Sequence, residues 1–129
     1  MTTSSKHALQ MPRRLAIRLL HEAQIATEPF FGLVSAPLTN DFEPDGWLPV
    51  ETKAAIATAA KKLEKQGKRP WALYLFRPAL PTAPSPEDFA TMPDVLRLTA
   101  SLATKGVLQL RAWQYRDGRV SERELHVHD

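Results

Sequence analysis

At 129 residues, 43% of them hydrophobic, the chain has the length of one domain and can bury a core without a disulfide or metal staple. It contains no cysteine, which excludes disulfides, thiolate metal ligands and a cysteine nucleophile together and fits a reducing, cytoplasmic setting. With 17 basic against 14 acidic residues the net charge is only +3, and no apolar run reaches the ~18–20 residues of a membrane span, so nucleic-acid and membrane roles are disfavoured.

The opening Met1-Thr2-Thr3-Ser4-Ser5 is polar and lacks the apolar stretch of a leader, so residues 1–11 read as a flexible, unprocessed tail ahead of one domain over 12–129. Pro12 suits a first helical turn, and Leu15, Ala16, Leu19, Leu20 and Ala23 form one apolar stripe, predicting a helix over about 12–26. Phe30 to Val34 is apolar on both parities, as in a strand covered on both faces. From Pro37 to Pro49, prolines with Asn40-Asp41 and Asp45-Gly46 predict a long loop anchored by Trp47. Ile56, Ala59, Ala60 and Leu63 mark a second helix within 51–66, stopped by Gly67 and Pro70.

Trp71 to Phe76 is a second interior strand, and Arg77 to Pro86 a stiff proline loop leaving its end. Val95 to Leu102, Val107 to Tyr115 and Val120 to Val127 read as an antiparallel meander, its last turn marked by Asp117-Gly118. Helices on a mixed β-sheet in a single α/β domain is the expected fold class. The tryptophans Trp47, Trp71 and Trp113 are expected core anchors, and the Lys61, Lys62, Lys65, Lys68, Arg69 cluster, which contains Glu64 and no aromatic residue, a solvated face.

Loops leaving the ends of interior strands commonly carry the sites of such folds. There the chain reads Tyr74-Leu75-Phe76-Arg77-Pro78, then Pro78 to Pro84, then Ser85-Pro86-Glu87-Asp88. This resembles the metal-binding segment of the JAB/MPN (JAMM, Mov34/MPN/PAD-1) zinc metallopeptidases, which have Tyr-His-x-His-Pro, the same spacing, and Ser-x-x-Asp. Met11-Pro12-Arg13-Arg14-Leu15, Glu28 to Ser35, Met92 to Leu96, Ser101 to Leu108 and Asp117 to Val120 are similar to the first helix, glutamate-bearing strand and closing strands of its small bacterial branch. The resemblance implies a JAB/MPN-like, cytidine-deaminase-like fold. The stretch between Ser35 and Trp47 is shorter than in the family, which implies the loss of an edge strand or hairpin.

In the family two histidines and an aspartate bind zinc, and a glutamate is general base to the zinc-bound water. Carried over, the histidine positions hold Leu75 and Arg77, the aspartate position Asp88, and the glutamate position Pro29, with Glu28 one residue displaced. Leu75 has no lone pair, and the guanidinium of Arg77 is a donor only and permanently charged. One ligand remains of about three that a catalytic zinc requires. The vestigial site is therefore Glu28, Leu75, Arg77, Ser85 and Asp88, with no confident catalytic residue and no cofactor. Ser85-Pro86-Glu87-Asp88 is also a helix-start signature, and capping is the favoured role of Ser85 and Asp88. Arg77 is free to pair with Asp88 in the emptied pocket.

Outside that segment, His126 and His128 alternate on the last strand on the same face as Glu124; an exposed polar edge is favoured over a metal site that also drew on Asp88. His7 and His21 have no visible partner. Pro78, Pro81 and Pro84 have polyproline II spacing, but Arg77 fits ligand patterns poorly and a rigid loop is favoured. By resemblance the expected function is protein binding or scaffolding by an inactive domain, toward a ubiquitin-like or sulfur-carrier protein tail, another MPN-type subunit or a second copy. The competing expectation is an active metal-dependent isopeptidase with a non-standard ligand set drawn from Asp88, Glu28 and His126; a third, a weak nucleic-acid binder, would lose affinity steeply with salt.

Overall fold

The computed structural model describes residues 8–26, 28–38, 43–76, 83–102 and 108–128. Strand β1 (Leu9–Pro12) leads into helix α1 (Arg13–Ile25), for which Pro12 is the cap, with φ −62° and ψ 139°. Strand β2 (Phe30–Pro37) is followed by β3 (Gly46–Val50), a 3-10 turn at Lys53–Ala55 and helix α2 (Ile56–Lys65). Strand β4 (Lys68–Phe76) connects through a 3-10 turn at Pro86–Phe89 to β5 (Leu96–Leu102). Strands β6 (Leu108–Arg116), β7 (Arg119–Arg123) and β8 (Leu125–His128) complete the chain. Six strands form one sheet in the order β3-β2-β4-β5-β6-β7, parallel only between β4 and β5. The expected mixed α/β sheet with packed helices is the fold observed.

The alternation of strand side chains sends two apolar sets to opposite faces. One joins Val34, Ala36, Ala72, Tyr74, Leu98 and Ala112 to the α1 stripe of Leu15, Ala16, Leu19 and Ala23. The other joins Leu33, Val50 and Leu73 to Ile56 and Leu63 of α2, with Ala59 and Ala60 alongside. Gly67, at φ +76°, ends α2, and Asp117 and Gly118, at φ 54° and 75°, make the tight β6–β7 turn; both were legible as turn chemistry.

Three expectations fail, each through pairing between distant residues. Leu9, Gln10 and Met11 are not tail: β1 pairs in parallel with β8, Met11 opposite Val127, and Met11 is fully buried. The 120–127 strand is broken at Glu124, whose carbonyl accepts the Leu9 N–H at 2.8 Å, and β8 leaves the main sheet for β1. The loop expected over 37–49 contains β3, so an edge strand does lie beside β2. Ser35 Oγ donates to Asp45 Oδ1 at 3.0 Å while the Asp45 N–H reaches the Ser35 carbonyl at 2.8 Å, which closes this hairpin. Trp47 then crosses Gly32 so tightly that a Cβ there would stand 2.3 Å from the indole. Opposite Val34 and Ser35 the β4 register slips by one residue, so that Trp71 sits in a bulge beside Pro70, which has no N–H to contribute.

Candidate functional site

The segment that resembles the metal-binding motif begins at the C-terminal end of β4. Tyr74 and Phe76 face the α1 side, where Phe30, Trp47, Tyr74 and Phe76 form an aromatic cluster with centroids 5.3–5.9 Å apart. Tyr74 is buried and its hydroxyl donates to the Leu19 carbonyl at 2.7 Å, tying β4 to α1. Burial first, and then the carboxylate of Glu22, push its pKa above the ordinary tyrosine value.

Leu75 points to the other face, in register between Phe31 of β2 and Thr99 of β5. It is half-buried against the Leu33, Val50, Ile56, Leu63, Leu73 cluster, among Phe31, Leu48 and Met92. The Leu75 side chain itself is hydrocarbon and offers no donor atom to a cation. Glu28 is exposed and precedes the first residue of β2, so no strand pairing aims it at Leu75. Arg77 lies outside the described residues, and with it the Arg77–Asp88 pairing, as do Pro78 and Pro81 of the proline loop. Pro84 is buried.

Ser85 and Asp88 are brought together as a cap. The Ser85 N–H donates to Asp88 Oδ2 at 2.8 Å, Ser85 Oγ lies 3.4 Å from the same oxygen, and Pro86 occupies the first position of the 3-10 turn. One carboxylate oxygen is thus spent on an orphan backbone donor, as in a capping box. Zinc does not fit these residues: Leu75 cannot ligate, and Asp88 supplies one carboxylate already engaged in the cap, against the three or so ligands a catalytic zinc requires.

The sequence reading missed the residue that holds this segment in place. Arg97 is fully buried on β5, on the face shared with Leu75, and its guanidinium fans into the 88–95 backbone. Nε donates to the Asp88 carbonyl at 3.0 Å, Nη1 to those of Met92 at 3.1 Å and Val95 at 2.8 Å, and Nη2 to that of Thr91. Its plane lies 4.6 Å over the Phe89 ring, which stacks on Tyr115 at 5.3 Å. Burial lowers its pKa to about 10, with Asp88 opposing the shift, so the side chain remains a cation at neutral pH. A charge between Leu96 and Leu98 in a strand covered on both faces was the available signal. Beside it, Trp113 Nε1 donates to Thr99 Oγ1 at 2.9 Å, satisfying two buried polar groups at once.

The histidine pair is on the β1–β8 ribbon. His126 Nδ1 meets Gln10 Oε1 at 3.1 Å, His128 Nε2 contacts Glu43 Oε1, and the rings are 6.4 Å apart. Glu124 precedes β8 and is not part of that strand. Among the described residues no three His, Asp or Glu side chains are grouped to hold a metal, so Asp88, His126 and His128 are not assembled as a ligand set. A cleft of about 600 Å³, lined by Asp94, Leu96, Gln114, Tyr115, Arg116 and Arg123 among others, opens at the start of β5, the sheet end away from Leu75.

No family model matches the sequence, and no curated protein does. Solved structures do. A protein from Desulfitobacterium hafniense, solved in solution, superposes with a TM-score of 0.70 at 20% identity, covering 93% of this chain and 92% of that one. A protein from Salinibacter ruber gives 0.64 at 18% identity, covering 93% and 91%. A JAB1/MPN domain protein from Archaeoglobus fulgidus gives 0.57 at 14% identity, covering 92% and 98%. At these identities the likeness is one of fold, and the fold is JAB1/MPN-like. Among the described residues no helix is long and apolar enough to cross a membrane.

Proposed function

We propose that this chain is a catalytically inactive JAB/MPN-like domain that binds protein, with a ubiquitin-like or sulfur-carrier tail as the partner class the resemblance implies. The observation that carries the reading is Leu75. At the position of the family's first histidine, a hydrocarbon side chain packs against the apolar cluster of Leu33, Val50, Ile56, Leu63 and Leu73, in register with Phe31. A divalent ion needs lone pairs there, and its desolvation would go uncompensated. The Ser85–Asp88 pair supports the same reading because its geometry is that of a helix start, which requires no metal to account for it. The sequence places a proline-rich segment directly after β4, a feature suited to recognition.

The test is metal content joined to restoration. Purified without tag or chelator, the native chain is expected to hold far less than one zinc per molecule. The Leu75→His, Arg77→His double variant is expected to gain zinc, because it supplies imidazoles at the two positions that the resemblance assigns to the zinc-binding histidines. Stoichiometric zinc in the native chain, together with cleavage of a ubiquitin-like fusion that chelator abolishes, would establish an enzyme instead.

A further inference from the structure

We infer that the outer face of α1 is a docking surface for an acidic, amphipathic protein segment, at a place separate from the vestigial site and independent of the reading above. Leu15, Ala16, Leu19 and Ala23 turn into the core, while Arg13, Arg14, Ile17, Arg18, His21, Gln24 and Ile25 are all exposed. At 100° per residue these seven fall within one arc, which carries no carboxylate. Two of the few large apolar side chains exposed among the described residues, Ile17 and Ile25, lie in it, each 59% exposed. Eight positions apart, they stand about 12 Å from each other along the axis.

Helix stability does not account for this composition. The first turn has no acidic residue and holds Arg13 and Arg14, cations at the end of the dipole that favours anions, a placement that costs helix stability. Arg14 has no hydrogen bond or ion pair among the described residues to offset that cost, and Arg18, one turn further on, has none either. An external carboxylate partner would supply one, and Ile17 between Arg14 and Arg18, with Ile25 two turns further along the same arc, would anchor its apolar row. Through the same face a second copy offers no carboxylate, and a two-fold dimer that overlaps the N-terminal halves would set arginine against arginine, so a second copy fits poorly. A bilayer would gain only two isoleucines, short of a stable interfacial anchor, so a protein segment is favoured over a lipid surface.

The probe is a synthetic helical peptide carrying a leucine row flanked by glutamates, compared with a scrambled peptide of equal charge and with phosphatidylserine-containing vesicles. Binding is read by fluorescence anisotropy and by amide shifts of the full chain. The designed peptide is expected to bind, to shift α1 amides and to weaken with salt. Ile17→Ser with Ile25→Ser, and separately Arg14→Glu with Arg18→Glu, are expected to reduce affinity by about tenfold or more. These positions are exposed, so unchanged circular dichroism will verify folding. No binding, equal binding of the scrambled peptide, insensitivity to both double variants, or preference for vesicles would each overturn the proposal.

Discussion

Arg97 shows how one side chain decides the conformation of a connection. A guanidinium has five N–H donors in a rigid fork, and here four of its bonds go to successive turns of the 88–95 backbone. Replacing it with methionine keeps the volume but strands those carbonyls, and the expected loss is about 3–5 kcal/mol in chemical denaturation. Arg97→Lys keeps the charge without the fork and should lose less; a methionine variant of native stability would mean that water satisfies the carbonyls. Tyr74 makes a pH-dependent contribution. Its pKa is raised in the fold, so between the ordinary value near 10 and the raised one the unfolded chain binds fewer protons than the native chain. The stability that the neutral hydroxyl confers is therefore complete below pH 10 and declines above it. Arg97, lowered to about 10, acts with the opposite sign in the same range but is present in both proteins of a Tyr74→Phe comparison. The phenylalanine variant should be less stable at neutral pH, lacking the bond to Leu19, and should lose less stability than the native chain on going from pH 9 to 11.

At the scale of elements, local chemistry was legible and distant pairing was not. The α1 stripe, the Gly67 stop, the Asp117-Gly118 turn and both interior strands are written in short windows, and each stands where its residues place it. Strands β1, β3 and β8 depend on partners elsewhere: β1 and β8 on each other across the whole chain, β3 on a hairpin fixed by Ser35 and Asp45. The candidate site divides in the same way. Ser85-Pro86-Glu87-Asp88 announces a cap in four letters, whereas Arg97 acquires its role only from the segment folded over it. The cap can be separated from catalysis by substitution. Asp88→Ala should cost about 0.5–2 kcal/mol of stability, the range for losing an N-terminal cap. Asp88→Asn keeps an oxygen that can accept the Ser85 N–H and should retain much of it, a pattern read from urea midpoints. A carboxylate kept only for chemistry would show no loss of stability in either variant.

The whole molecule is closed by its ends. The β1–β8 ribbon lies outside the main sheet, yet Leu9, Met11 and Leu125 join the cluster that α1 forms with that sheet. Closing so long a loop is entropically costly and is favourable only once the ends bury apolar surface, which makes this ribbon a late event in folding. His126 with Gln10 and His128 with Glu43 add contacts on its exposed side, where ion pairs are worth little, so apolar burial should carry the energy. A chain ending at Glu124 should thus keep its six-stranded sheet and lose about 1.5–3 kcal/mol from uncovering Met11. Hydrogen exchange resolves where that loss falls. Amides of α1, which leans on the ribbon, should exchange faster, while those of β4 and β5, bonded on both sides within the sheet, should keep their protection relative to global unfolding. Uniform acceleration across α1, β4 and β5 would show instead that the ribbon belongs to one cooperative unit with the sheet, and that the fold does not persist without its closure.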